Sequence, residues 1–187
     1  MSVDRPNILC IVSEDCPPRL GAYGDPLART PNLDRLAREG VVWDAACCTA
    51  PVCAPSRFAI LTGRHGESVP PAQHMSAWGP LPPGMVTYPQ VMRDAGYYCT
   101  NNSKTHYNCD IDPTIIWDET SEAAHWRNRP EGNPFLAVFN CMETHESCVF
   151  KDFDGPVTSD QVTVPRYLPD TDGVRRSLAS YYNHIEV

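Results

Sequence analysis

Apolar runs of strand length, alternating with segments of helical periodicity, constrain the fold of this chain most strongly. Residues 7–12 (Asn-Ile-Leu-Cys-Ile-Val) form a short continuous apolar run, and residues 135–140 form a second. Such runs are typical of strands buried in a parallel sheet. With helices between them, they predict an α/β fold whose ligand site lies at the carboxyl ends of the strands.

Capping residues mark where the helices begin and end. Thr30 and Pro31 suit a helix start, and Gly40 suits the position after its end. Thr87 and Gln90 match a capping box. The predicted helices cover residues 31–39, 55–62, 88–95 and 174–185, further strands cover 41–46 and 97–100, and loops cover 66–87, 101–134 and 155–172.

The helical periodicity also predicts which side chains are buried. Leu33, Leu36 and Ala37 form the apolar stripe of the first helix, and Phe58 and Leu61 point inward from the second. Cysteines in the apolar segments are expected to be small core residues. They are Cys10, Cys99 and Cys141.

Length and charge set limits on function. The 187 residues suffice for one domain with a core, and the net charge of −8 argues against a nucleic-acid partner or an anionic membrane surface. No secretory signal or membrane-spanning run is visible, so a cytoplasmic location with mostly reduced thiols is expected, unless the chain was cut from a longer precursor. The last helical periodicity reaches Val187 without a cap, which favours a fragment.

Two short segments carry residues typical of a chemical site. Cys53-Ala-Pro-Ser-Arg57 stands at the entrance of the helix over 55–62, where free N–H groups and the helix dipole favour anions. Glu14 and Asp15 follow the first strand, and their carboxylates suit a hard cation. An acidic chain can therefore still hold a local site for an anionic substrate.

Four stretches together resemble the type I sulfatase family, a branch of the alkaline-phosphatase-like fold. They are Pro6–Asp15, Thr30–Gly40, Cys53–Gly63, and Gly96–His106 followed by Thr144–Glu146. The resemblance implies a three-layer α/β/α fold with a mainly parallel central sheet, incomplete at the C-terminus. Residues 1–187 would be the N-terminal portion of a sulfatase catalytic domain, closest to sulfamidase-like and bacterial polysaccharide sulfatases.

The resemblance implies that Cys53 is oxidised to formylglycine by a formylglycine-generating enzyme. Its hydrate would attack sulfur, and the remaining hydroxyl would later expel sulfate and restore the aldehyde. The family holds a divalent cation, usually Ca²⁺ and alternatively Mg²⁺, and the matching ligands are Glu14, Asp15 and the modified Cys53. Glu14 departs from the family's usual aspartate, and the extra methylene moves the ligand oxygen.

Four further residues match catalytic positions of the family. Arg57 matches the arginine that supports the formylglycine hydrate, and Lys104 matches the lysine that contacts sulfate oxygens. His106 matches the histidine that helps break down the covalent sulfate intermediate, and His145 matches one near the leaving oxygen. Ser103 stands where the common form has glycine.

The implied activity is hydrolysis of sulfate esters or sulfamates on a sulfated small molecule or glycan. One alternative is a phosphonate or phosphate monoester hydrolase, because relatives with the same cysteine motif cleave such esters. Another is a non-catalytic remnant in which Cys53 is never converted. The later metal ligands of the family have no match in residues 150–187, so the chain alone is expected to be nearly inactive.

Overall fold

The computed structural model describes residues 5–76, 79–151 and 153–185. They divide into two compact units. Unit 1 comprises Met1–Val12 and Cys47–Asn140, and unit 2 comprises Ser13–Ala46 and Cys141–Val187. The described residues contain four strands, which are β1 (Ile8–Ser13), β2 (Tyr98–Asn102), β3 (Glu119–Thr120) and β4 (Phe135–Cys141). They also contain five α-helices, which are α1 (Pro31–Glu39), α2 (Cys53–Thr62), α3 (Tyr88–Asp94), α4 (Pro113–Ile116) and α5 (Asp172–Ile185). Short 3₁₀ helices cover Gly21–Tyr23, Gly66–Ser68, Trp126–Asn128 and Glu146–Phe150.

Unit 1 is built on a four-stranded sheet with the order β1-β4-β2-β3. The last residues of β1 and β4 are counted with unit 2. Strand β2 runs parallel to β4, with Tyr98 opposite Phe135 and Asn102 opposite Phe139, and it also runs parallel to β3. The predicted α/β fold with a parallel sheet is therefore confirmed.

The core of unit 1 joins α2 to the sheet. Phe58 and Leu61 of α2 are each about 1% exposed, as predicted, and they share a cluster with Cys99 of β2 and Leu136 of β4. Gly63 ends α2 in the left-handed region, with a φ of 66° that glycine adopts without strain. The capping box at Thr87 is also present, and it starts α3.

Unit 2 has its own smaller core, centred on α5. Ala179 and Tyr182 of that helix are buried with Val157 and Val162 of the preceding loop. Helix α1 begins at Pro31 and ends before Gly40, as its capping residues predict. None of the helices in the described residues is long and apolar enough to cross a membrane.

Several burial predictions are wrong. Leu9 and Ile11 of β1 are 55% and 58% exposed, and Leu33 and Leu36 of α1 are 42% and 55% exposed. Among the described residues of their own units, nothing packs closely enough on these faces to bury them. Cys10 is exposed and Cys141 is half-buried, so only Cys99 of the three predicted core thiols is buried.

The strand predicted over residues 41–46 is also wrong, because this segment is irregular and exposed. Val41 and Trp43 are 77% and 73% exposed, and the carbonyl oxygen of Trp43 accepts a hydrogen bond from the Tyr23 hydroxyl. A strand needs a pairing partner, and the segment pairs with no strand in the part of the chain that the structure describes. Conversely, α4 and β3 lie in residues predicted to be loop.

Candidate active site

The first turn of α2 carries Cys53, the predicted nucleophile precursor. The helix begins at Cys53 itself, two residues earlier than predicted, because Ser56 N already donates to Val52 O at 3.1 Å. Ala54 and Pro55 are buried, which fixes this turn against the core, while the Cys53 side chain is half-buried. The helix thus presents Cys53 at its N-terminal end, where the helix dipole favours negative charge.

Lys104 lies on the loop that follows β2, and this loop is anchored at both ends. Before it, Asn101 is 1% exposed and donates from Nδ2 to the Lys104 carbonyl oxygen at 3.1 Å. After it, the Tyr107 hydroxyl accepts a 2.7 Å bond from Trp117 Nε1, and Asn108 Nδ2 donates to Ala72 O at 2.8 Å. A buried network of this kind holds the intervening residues in one geometry.

One cationic side chain contacts Cys53, and a second contacts the loop that carries the first. Lys104 Nζ donates to Cys53 Sγ at 3.8 Å, and Arg57 Nη1 donates to the Lys104 carbonyl oxygen at 3.4 Å. The ammonium, the guanidinium and the helix N-terminus bring positive charge to one place in unit 1. A protein with a net charge of −8 therefore has a local site suited to an anion.

Asn140 fixes the orientation of Arg57. Arg57 Nη2 donates to Asn140 Oδ1 at 2.7 Å, while Asn140 Nδ2 donates to Asn102 O at 2.8 Å and to Asn101 Oδ1 at 3.2 Å. These asparagines stand at the carboxyl ends of the parallel strands β4 and β2. Sequence reasoning missed them, although a polar residue ending an apolar strand was the available signal.

Two buried thiols of unit 1 have raised pKa values. Burial, assisted by the Asp118 carboxylate, raises the pKa of Cys99 to about 12. Burial and Asp110 raise the pKa of Cys109 to about 11. Both thiols are protonated at neutral pH and chemically inert. All nine cysteines lie in the described residues, and none of them forms a disulfide there.

Unit 2 carries Glu14 and Asp15 directly after β1. Glu14 is 5% exposed, its backbone N donates to Cys141 O at 3.1 Å, and its carbonyl oxygen accepts from the Thr144 hydroxyl. Asp15 has a φ of 50°, in the left-handed region that aspartate tolerates better than most residues. Burial of the Glu14 carboxylate and the all-oxygen donor set fit a hard divalent cation.

His145 lies beside Asp15 within unit 2. Its Nε2 is 3.9 Å from Asp15 Oδ2, and the same carboxylate oxygen accepts from Glu146 N at 2.9 Å. The Ser147 backbone N–H donates to His145 Nδ1 at 3.2 Å, which places the proton of the neutral ring on Nε2. Unit 2 therefore brings a predicted metal ligand and a predicted proton donor together.

His106 follows Lys104 on the anchored loop of unit 1. It is half-buried and has a φ of 33°, a conformation in which histidine is more frequent than most other non-glycine residues. The predicted site residues thus form two groups. Unit 1 holds Cys53, Arg57, Lys104 and His106, and unit 2 holds Glu14, Asp15 and His145.

Solved structures share this α/β fold. A structure described as a 2-O GAG sulfatase superposes with a TM-score of 0.68 at 17% identity, covering 98% of this chain and 52% of that chain. At this level of identity the likeness establishes the fold. The chain therefore has an alkaline-phosphatase-like α/β fold.

Sequence similarity establishes the family. The sulfatase family model matches residues 6–110, which contain Glu14, Asp15, Cys53 and Lys104. The ulvan-active sulfatase of Formosa agariphila is 36% identical over 97% of this chain, and human iduronate 2-sulfatase is 32% identical over 76%. The chain belongs to the sulfatase family. It spans 38% and 25% of the lengths of these two relatives.

Proposed function

We propose that this sequence is part of an enzyme that hydrolyses sulfate esters, with Cys53 converted to formylglycine. The observation that carries the proposal is the cationic group at the start of α2. Lys104 Nζ lies 3.8 Å from Cys53 Sγ, and Arg57 reaches the same loop. Cations at this position offset the negative charge that develops when an oxygen nucleophile attacks a sulfate monoester.

The residues of unit 1 bind and orient the sulfate. The Lys104 ammonium and the N-terminal end of the α2 dipole attract the spread negative charge of the sulfate oxygens. Arg57, held by Asn140, supports the attacking oxygen with a planar guanidinium that stays charged. Formylglycine supplies, as its hydrate, one hydroxyl that attacks sulfur and a second that later expels sulfate.

Glu14 and Asp15 are proposed as ligands of a divalent cation, Ca²⁺ in preference to Mg²⁺. Ca²⁺ accepts irregular sets of six to eight oxygen ligands, which suits a glutamate in place of aspartate. The cation supplies charge neutralisation for the sulfate oxygens. The further proposal that the modified Cys53 is also a ligand rests on the resemblance alone.

Proton transfer is proposed for the two histidines. In its protonated form, His145 can give its Nε2 proton to the leaving oxygen as a general acid and is left as the neutral ring, which Ser147 orients at Nδ1. His106, on the anchored loop beside Lys104, is proposed to take the proton of the remaining hydroxyl when sulfate departs. The two roles fall on separate residues in separate units.

The proposed substrate is a sulfated glycan. The names of the two relatives given above refer to ulvan and iduronate, and a structural neighbour is described as a 2-O GAG sulfatase. A formylglycine-generating enzyme is the implied partner, because the chain must be converted before it acts.

A comparison of ester classes tests the activity. We expect the complete polypeptide that carries this sequence, produced with a formylglycine-generating enzyme, to release sulfate from an aryl sulfate. Its kcat/KM for the matched aryl phosphonate should be lower by a factor of about 100 or more, because the site is expected to be complementary to the transition state of sulfate transfer. Sulfate release is measured by ion chromatography. A preference for the phosphonate would replace this proposal with the phosphonate hydrolase.

Asn140 is expected to act as a positioning residue for Arg57. Asn140→Leu removes both the acceptor for Arg57 and the donors to β2, so kcat should fall about 10–100-fold with little change in KM. Asn140→Asp keeps an acceptor for Arg57 and should recover part of kcat. Asn128→Ala is the matched control, because Asn128 bonds Glu119 on an exposed loop of the same unit. Equal losses for Asn140→Leu and Asn128→Ala would contradict the role.

A further inference from the structure

The segment that follows β4 holds the acidic turn that follows β1. Glu14 N donates to Cys141 O at 3.1 Å, and Glu146 N donates to Asp15 Oδ2 at 2.9 Å. Between these two bonds, the Thr144 hydroxyl donates to the Glu14 carbonyl oxygen. All of these residues belong to unit 2. One segment therefore fixes both acidic residues, through the backbone of the first and the side chain of the second.

The hydrogen bond to the Glu14 carbonyl oxygen fixes the peptide that joins Glu14 to Asp15. A peptide unit is planar, so the direction of its C=O sets the direction of the following N–H. Asp15 has a φ of 50°, in the left-handed region that residues other than glycine adopt at a cost. Without a donor on this carbonyl, the peptide is freer to rotate toward the more common extended conformation. The Thr144 hydroxyl therefore sets the direction in which the two acidic residues leave the turn.

A second hydroxyl completes this contact. Thr144 is 6% exposed, and its Oγ1 lies 2.9 Å from Ser13 Oγ. Since a hydroxyl has one proton and Thr144 gives its proton to Glu14, the Ser13 hydroxyl is the donor to Thr144. The bonds run in one chain from Ser13 through Thr144 to the Glu14 carbonyl oxygen. Hydrogen bonds linked in this way polarise and strengthen one another, so Ser13 orients the Thr144 hydroxyl.

We propose that Thr144 is a positioning residue for the cation ligands Glu14 and Asp15, with Ser13 as its supporting donor. Two adjacent carboxylates that bind one divalent cation must be ordered against their mutual repulsion. A turn that Thr144 has already fixed reduces the ordering cost of cation binding. Residues that orient metal ligands in this way commonly change metal affinity by about 10- to 100-fold. This inference rests on the cation site of the proposed function.

An isosteric pair of variants tests the role in the complete polypeptide. Thr144→Val replaces the hydroxyl with a methyl group of similar volume, and we expect it to raise the Kd for Ca²⁺ about tenfold. Thr144→Ser keeps the hydroxyl and should stay within about twofold of the parent Kd. Isothermal titration calorimetry with CaCl₂ measures both values. Thr158→Val is the matched control, because Thr158 is an exposed residue of unit 2 whose hydroxyl donates to Asp160, and its Kd should not change.

Ser13→Ala tests the supporting donor. Ser13 is exposed, so the fold should tolerate the substitution, and we expect the Kd for Ca²⁺ to rise about threefold. Because Ser13 acts through the Thr144 hydroxyl, Ser13→Ala should add nothing to the effect of Thr144→Val in the double variant. Circular dichroism melting, at one fixed concentration of Ca²⁺ and in EDTA, supplies a second readout. The rise in Tm that Ca²⁺ causes should be smaller in Thr144→Val than in the parent, because a weaker site stabilises the folded state less.

The outcomes distinguish positioning from a merely structural role. If Thr144→Val lowers Tm equally with and without Ca²⁺ and binds Ca²⁺ as tightly as the parent, Thr144 only stabilises the fold and the proposal is wrong. If Thr144→Val does not fold, Ser13→Ala decides, since an unchanged Kd overturns the proposal and a raised Kd supports it. A parent that binds Ca²⁺ but releases no sulfate from an aryl sulfate contradicts the proposed hydrolysis and leaves the affinities to decide the role of Thr144. A parent that binds no Ca²⁺ overturns the role of Thr144, while sulfate release by that parent would keep the hydrolysis.

Discussion

Replacing Cys53 with alanine is expected to abolish sulfate ester hydrolysis. Alanine keeps α2 intact, because it is the best helix former and Cys53 is only half-buried. It removes the precursor of the nucleophile, so kcat should fall by about 10⁵-fold or more, the scale seen when other hydrolases lose a nucleophile. Sulfate release by the complete polypeptide measures the loss.

The matched control for this substitution is Cys48→Ala, because Cys48 is exposed and lies five residues before Cys53. Its kcat should stay at the parent value. Mass spectrometry of the peptide that contains Cys53 supplies an independent readout, since conversion of a thiol to an aldehyde lowers the mass by about 18 daltons. An unconverted Cys53 in an active enzyme, or full activity of Cys53→Ala, would rule out the proposed nucleophile.

Element types followed from the sequence where local signals agree. The caps at Pro31 and Gly40, the capping box at Thr87 and the apolar run over 135–140 all led to the observed elements. These signals work because they report hydrogen bonding and side-chain periodicity within a few residues. The short strand β3 was missed because its existence depends on pairing with β2. Helix α4 did have local signals, the N-cap Asp112 and Pro113 at its first position, and these were overlooked.

Burial was less predictable than element type. The helical spacing of Leu33 and Leu36 predicts that one face of the helix is apolar. It does not predict whether another element packs against that face. The pairing that turns an apolar run into a strand is also non-local, so residues 41–46 could not be distinguished from a strand by periodicity. Both failures have the same cause, which is that sequence patterns are local and burial is a property of contacts.

The residues of the candidate site stay predictions from the resemblance, and their geometry could not be derived from the sequence. The Cys53 to Arg57 motif, Lys104 and His145 were found from the resemblance, and the structure describes how each is held. The contacts that orient these side chains could not be predicted from the sequence, because Asn140 and Arg57 are 83 positions apart. Distances between distant residues are set by the sheet, in which β2 and β4 align their polar carboxyl ends.

Asp15→Asn is expected to weaken cation binding and catalysis together. Asparagine retains the oxygen that accepts from Glu146 N and tolerates the φ of 50°, so the local fold should persist. The lost negative charge reduces attraction for Ca²⁺. A cation of this kind supplies several kcal/mol of charge stabilisation, so kcat/KM should fall about 10³-fold.

Calcium affinity, measured by isothermal titration calorimetry on the complete polypeptide, separates this effect from general damage. Asp44→Asn makes the same change of charge at an exposed residue of unit 2 and should alter neither affinity nor kcat/KM. Excess Ca²⁺ should restore part of the activity of Asp15→Asn, because mass action offsets a weakened site. A variant that binds Ca²⁺ as tightly as the parent but has lost activity would show that Asp15 acts through His145 and not through the cation.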